Sequence, residues 1–395
     1  MPNRDYTFQQ LLEMEACTQC QVCARVCPAV SATKDGELSA LWRMQALKRV
    51  LKSRGGFLRR FLSKKGPSEE DLKHFSDTVF RCTLCANCQE VCPVGIGLMD
   101  LWIALRKDMV SSGKYPPKIE MIGKNLAESR NVFAEDNAER AAWVEDMRDA
   151  PEHGYLKDRA EVVYFTGCVA AYFPMGQKIA IALAEIMEAS HVDFTLLGEE
   201  EWCCGFPFLG AGLKDQAREF AEHNVAAALS KGAKKVVMAC PSCYQMWREH
   251  YPQKIPIAHA SEFLVELINE DRVPLKELPL TVTYHDPCDL GRGARVFDAP
   301  REAIRSIPGV KLVEMPNNRQ NCLCCGGGGN LEMLDPNLSA EIGRKKVEEA
   351  VSTGAQAVVT SCQQCVRTMT TFVRRNKVQL EVLDLPQLVR RALIT

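Results

Sequence analysis

The chain has 395 residues, of which 46% are hydrophobic and 25% charged, and a formal net charge of −1. That length exceeds one ordinary core and predicts two to three domains, while the near-neutral balance excludes a protein drawn to nucleic acid by its overall field. No apolar run approaches the roughly 18 residues that span a bilayer, and the opening MPNRDYTFQQLLE has no signal-peptide hydrophobicity, so a cytoplasmic location is expected, or a peripheral one on the cytoplasmic membrane face through a partner.

Nineteen cysteines without an export signal argue against a disulfide scaffold, because cytosolic thiols stay reduced; metal or cluster ligation is the expected use. In the N-terminal third, Cys17, Cys20, Cys23 and Cys27-Pro28 are repeated with identical spacing as Cys82, Cys85, Cys88 and Cys92-Pro93. This is the bacterial two-cluster ferredoxin pattern, in which three close thiolates wrap one face of a 4Fe-4S cubane and the fourth reaches the other cube. Cys17, Cys20, Cys23 and Cys92 are expected to hold one cluster, and Cys82, Cys85, Cys88 and Cys27 the other. A pair of zinc ribbons needs only paired C-x-x-C and explains neither the third cysteine nor the proline.

Between the motifs, residues 38–68 carry Arg43, Lys48, Arg49, Lys52, Arg54, Arg59, Arg60, Lys64 and Lys65 and no acid, interleaved with apolar residues and broken at Gly55-Gly56. Two short basic amphipathic helices over 41–65 suit an anionic membrane surface or an acidic partner; the bland reading is a solvated face over a small core. Residues 94–160 read as helical and charged, with Glu145, Asp146 and Asp149 on a solvated side.

The remaining two-thirds is an internal duplication. Cys168 aligns with Cys288, Cys203 and Cys204 with Cys324 and Cys325, and Cys240 and Cys243 with Cys362 and Cys365, at offsets of 120 to 122 residues. In each copy β-branched runs (VVYF, FTLL and KVVMA; VTYH, VKLVEM and AVVT) alternate with helical segments, which predicts a small parallel α/β sheet with cysteines at the carboxyl ends of strands. C-x-x-C at a helix start also favours thiolate, through free N–H groups and the helix dipole. The expected architecture combines α+β and α/β parts: a helical ferredoxin-like domain over 1–115, a helical connector over 116–160, and duplicated α/β domains over 161–278 and 279–395.

The pattern of a lone cysteine, Cys-Cys-Gly and C-x-x-C, present twice, resembles the CCG cysteine-rich domain. With the N-terminal motifs it resembles the D-subunit family of heterodisulfide reductases, equivalent to a fusion of their C and B polypeptides, within a wider group that includes iron-sulfur subunits of glycolate, lactate and anaerobic glycerol-3-phosphate dehydrogenases. The resemblance implies that Cys168, Cys203, Cys204, Cys240 and Cys243 hold one noncubane 4Fe-4S cluster and Cys288, Cys324, Cys325, Cys362 and Cys365 a second. The two would face each other across a disulfide-binding cleft and act catalytically. Zinc, or a cubane with a spare thiol, is the alternative at either site. A flavoprotein, haem or other iron-sulfur subunit is the expected electron partner, since no flavin or nicotinamide fingerprint is present, and a small disulfide the expected substrate. The competing function is a non-catalytic electron-transfer subunit linking a flavin dehydrogenase or acyl-CoA-type reductase to quinone or ferredoxin.

Three further features stand outside that pattern. Cys322 has no counterpart in the first copy and reads as an ordinary buried thiol. His285 reads as a structural histidine, with proton donation to a departing thiolate as its alternative. Gly326 to Gly329 lack the phosphate-loop signature and read as glycines that let backbone approach a cluster closely.

Overall fold

The computed structural model describes residues 6–54, 67–152 and 154–394. The N-terminal region is helical, with its longer helices at Phe8–Glu15, Ala40–Arg54, Glu69–Phe80, Leu98–Ser111 and Lys118–Ser129. The Glu69–Phe80 helix starts at a capping box, in which the side chains of Ser68 and Asp71 satisfy each other's backbone N–H groups. The first part of the basic stretch forms the Ala40–Arg54 helix, whose Met44, Leu47 and Val50 are buried, so its apolar stripe faces the core. Arg43 is buried as well and donates through Nε to the Thr78 carbonyl at 2.9 Å. The second expected helix falls on residues 55–66, outside the described residues.

Each cysteine-rich unit carries a four-stranded, wholly parallel sheet. In the first, β1 (Val162–Tyr164), β2 (Phe194–Thr195), β3 (Lys235–Met238) and β4 (Ile257–His259) lie in the order β2-β1-β3-β4. In the second, β5 (Leu280–His285), β6 (Val310–Leu312), β7 (Ala357–Thr360) and β8 (Glu381–Asp384) repeat that order as β6-β5-β7-β8. The central strands are near-continuous apolar runs because helices cover both faces. The sequence reading found three strands per copy. The fourth of each, β4 and β8, is a short edge strand whose few residues show no β-branched run.

The units pack reciprocally. The Pro174–Ala189 helix of the first lies on Leu385–Arg391 of the second, and Ala260–Asn269 of the first lies on Asp298–Arg305 of the second. One apolar core runs through both and includes Ile179, Leu183, Leu264, Ile304 and Leu388. Among the described residues no helix is long and apolar enough to cross a membrane.

At the end of β4, His259 caps the Ala260–Asn269 helix. Its Nδ1 accepts from the Ser261 backbone N–H at 3.1 Å, and its Nε2–H donates to the Ala239 carbonyl at 3.2 Å. Burial drives its pKa down from 6.5 to about 4. The unfolded chain therefore binds the proton more tightly, and stability present above pH 6.5 is lost as pH falls from 6.5 towards 4. About 3 kcal/mol is at stake. Urea titrations across that range should show this slope, and His259→Asn, which keeps a capping acceptor, should flatten it.

Candidate iron-sulfur centres

The two N-terminal motifs fold into loops of matching shape. Gln19 and Gln21 in the first, and Leu84 and Ala86 in the second, all have positive φ, at 59°, 65°, 53° and 60°. Non-glycine residues seldom adopt this conformation, and its recurrence two and four positions after each leading cysteine curls both loops alike. The fourth cysteines cross over: Cys17, Cys20, Cys23 and Cys92 line one cavity, and Cys27, Cys82, Cys85 and Cys88 line another.

The donor sets fit a cationic group. Burial, then the neighbouring sulfurs, push Cys23 up to about 11, and the same two causes hold Cys88 well above the ordinary thiol range. Four sulfurs this close cannot all ionise unless iron balances their charge.

In the first cysteine-rich unit, side-chain contacts run from Cys168 to Cys203, to Cys204, to Cys243 and to Cys240. Cys168 and Cys240 follow the carboxyl ends of β1 and β3, and Cys240 is the N-cap of the Pro241–Glu249 helix. The second unit repeats the arrangement. Cys325 Sγ lies 3.2 Å from Cys365 Sγ, Cys324 adjoins Cys325, Cys365 adjoins Cys362, and Cys288 is in electrostatic reach of Cys324 and Cys325. Backbone N–H groups of Gly326 and Cys365 donate to Cys324 and Cys362 Sγ, each at 3.4 Å, a polarity that suits thiolate.

A buried arginine–carboxylate pair braces each lone-cysteine loop. In the first unit Arg140 donates to Glu201 at 2.9 Å and to Cys168 Sγ at 3.4 Å, while Glu201 accepts from the Thr166 and Gly167 backbone at 2.8 Å. In the second, Arg301 forks onto Asp286 at 2.7 and 2.9 Å. Arg140 comes from the stretch read as a connector. Its charged neighbours Glu145, Asp146 and Asp149 are exposed as expected, and nothing in the sequence marks Arg140 apart from them.

The units meet with the C-x-x-C segment of each against the lone-cysteine loop of the other. Ser242 donates to Asp289 Oδ2 at 2.6 Å, and Gln363 Nε2 donates to the Thr166 carbonyl at 3.4 Å. The second ferredoxin-type loop abuts the second unit: Cys85 and Cys324 are in side-chain contact, and Arg292 donates to the Cys85 and Cys322 carbonyls at 2.7 and 2.9 Å. The glycine run closes that junction. A Cβ on Gly329 would lie 2.4 Å from the Cys82 carbonyl oxygen, and one on Gly328 2.5 Å from that of Thr83. The close approach is thus to the loop that carries the cysteines.

Cys322 is more than a filler thiol. It is fully buried, lies 3.3 Å from His285 Nδ1, and accepts from Lys346 Nζ at 3.3 Å. Burial alone would raise it, but the Lys346 ammonium and His285 bring it down to about 7. His285 is half-satisfied, because its Nε2 has no partner.

Two helix-wrapped parallel sheets, each ending in a five-cysteine set, joined to a two-loop ferredoxin-type region, define an iron-sulfur oxidoreductase. The cysteine-rich CCG domain model matches residues 162–248 and 282–370, and the 4Fe-4S dicluster domain model matches 13–96. The D subunit of dihydromethanophenazine:CoB--CoM heterodisulfide reductase from Methanosarcina mazei is 36% identical over 99% of this chain and 96% of its own. Its counterpart in Methanosarcina barkeri is 34% identical over the same shares. The EtfAB:quinone oxidoreductase of Syntrophomonas wolfei is 24% identical over 98% of this chain and 59% of its own. The chain belongs to the D-subunit family of heterodisulfide reductases, whose Methanosarcina members are subunits of larger redox enzymes.

Proposed function

We propose that this chain relays electrons through two 4Fe-4S cubanes to a facing pair of noncubane 4Fe-4S clusters that reduce a small disulfide. In this reading residues 1–115 form the relay domain, 116–160 the connector, and 161–278 and 279–395 the two cluster domains. The first cubane is held by Cys17, Cys20, Cys23 and Cys92 and the second by Cys82, Cys85, Cys88 and Cys27. Cys168, Cys203, Cys204, Cys240 and Cys243 hold one noncubane cluster, and Cys288, Cys324, Cys325, Cys362 and Cys365 the other.

One observation supports the reading: the C-x-x-C segment of each unit packs against the lone-cysteine loop of the other, and the second ferredoxin-type loop touches the second unit through Cys85 and Cys324. A cubane is saturated by four thiolates, so a fifth at each site leaves room for an opened cluster whose iron accepts an external sulfur. Cleaving the disulfide takes two electrons and two protons and yields two thiols. A relay delivers electrons singly, and two facing clusters can each take one sulfur. An electron-donating partner completes the enzyme.

The likeness to a quinone-linked oxidoreductase favours a second reading, in which the chain only passes electrons between a flavoprotein and quinone. Anaerobically purified protein should contain about sixteen irons per chain, four for each of four clusters. It should also oxidise a reduced viologen in a disulfide-dependent way. About eight irons with zinc would remove the noncubane clusters, and dye oxidation indifferent to small disulfides would favour the second reading.

A further inference from the structure

Among the positions at which the duplicated units differ, one lies beside the second five-cysteine set. Three residues before the lone cysteine the first has Phe165 and the second has His285. His285 is 1% exposed, and one of its ring nitrogens lies with the sulfurs of Cys325 and Cys365 in a group spanning no more than 4.8 Å. The ring is anchored at one nitrogen: Nδ1 is 3.3 Å from Cys322 Sγ, which accepts from Lys346 Nζ at 3.3 Å, and that ammonium pairs with Glu349 at 2.8 Å. Nε2 has no partner. A buried polar atom left alone is destabilising, and an imidazole anchored through one nitrogen with the other free is the usual posture of a histidine that serves a metal centre.

We propose that the imidazole of His285 bonds the iron-sulfur group of the second unit through the nitrogen that Cys322 leaves free, a contact the first unit lacks. The inference rests on the cluster reading above. The nitrogen donates its hydrogen to a cluster sulfur, which raises a cluster's reduction potential by offsetting the added electron. The two facing centres are then unequal, and the second, which adjoins the relay, is reduced first. Cys322 and Lys346 are positioning residues, acting through the ring that they fix.

The test uses the full chain, purified anaerobically with its clusters from cells fed 15N-histidine and studied by pulsed EPR after one-electron reduction. The expected result is an isotope-sensitive nitrogen coupling on one centre's signal. In His285→Phe that coupling should vanish and the same centre's potential should fall, with iron content kept; in His285→Gln, whose amide donates a hydrogen bond, part of the potential should return. A wild-type signal with no isotope-sensitive coupling overturns the inference, as does an unchanged coupling in His285→Phe. Should His285→Phe lose iron, the labelled wild-type spectrum decides alone. A wild-type second unit without a cluster overturns the proposed function as well, and is told apart by an iron content of about twelve.

Discussion

Arg106→Leu should cost on the order of 3 kcal/mol or more of folding stability, because each buried carbonyl stripped of its donor costs about 1–3 kcal/mol. Arg106 is fully buried and its guanidinium serves three parts of the chain. It donates to the Val79, Phe80 and Cys82 carbonyls at 3.2, 3.5 and 2.7 Å in the N-terminal region. It also reaches Gly210 at 2.6 Å in the first unit and Gly329 at 2.9 Å in the second. No other side chain has the length and planar fork to meet carbonyls on several sides. Arg106→Lys keeps the charge without the fork and should recover only part of the loss. Urea titration of anaerobic protein measures both, and a loss for Arg106→Leu below about 0.5 kcal/mol, the size of an ordinary surface change, would show that the staple is dispensable.

The second large effect is expected in Cys85→Ser. Cys85 lines the second cavity and touches Cys324, so the proposal makes it both a ligand and the last thiol before the second unit. Serine oxygen is a harder donor than thiolate and suits iron-sulfur clusters poorly. Iron should drop by about four per chain, the spectrum of the first cubane should persist, and electrons supplied through the N-terminal domain should no longer reach a disulfide. Turnover by the natural partner near the wild-type rate would break the relay. A small reductant that meets the paired centres directly should be affected less.

The sequence revealed what depends on spacing. Identical cysteine intervals identified the two loops, and the 120 to 122 residue offset identified the duplicated sheets. Both are patterns of spacing along the chain, which need no knowledge of what meets in space. Features that depend on distant chain segments meeting were hidden. Arg140 sits among charged residues and reaches Cys168 only because its 3-10 turn packs on the first unit. Cys322, without a counterpart, looked like filler until folding placed Lys346 and His285 on either side of it. The edge strands β4 and β8 lack a β-branched run to mark them, and the glycine run gave its conformational freedom but not the neighbour it approaches. The apolar side of Ala40–Arg54 could have met a membrane or a core, and periodicity alone does not separate these; burial of Met44, Leu47 and Val50 does.

The crossing of Cys27 and Cys92 between the two N-terminal cavities carries a further consequence for anyone dissecting the molecule. Although the motifs look like two copies of a self-sufficient cassette, each ring of four sulfurs borrows one from the other copy. A cut anywhere between Pro28 and Arg81 leaves both fragments with three sulfurs of one ring and one of the other. Under the proposed cluster assignment neither motif should work as a minimal single-centre peptide, and damage to Cys27 should be read at the centre its neighbours in sequence do not serve.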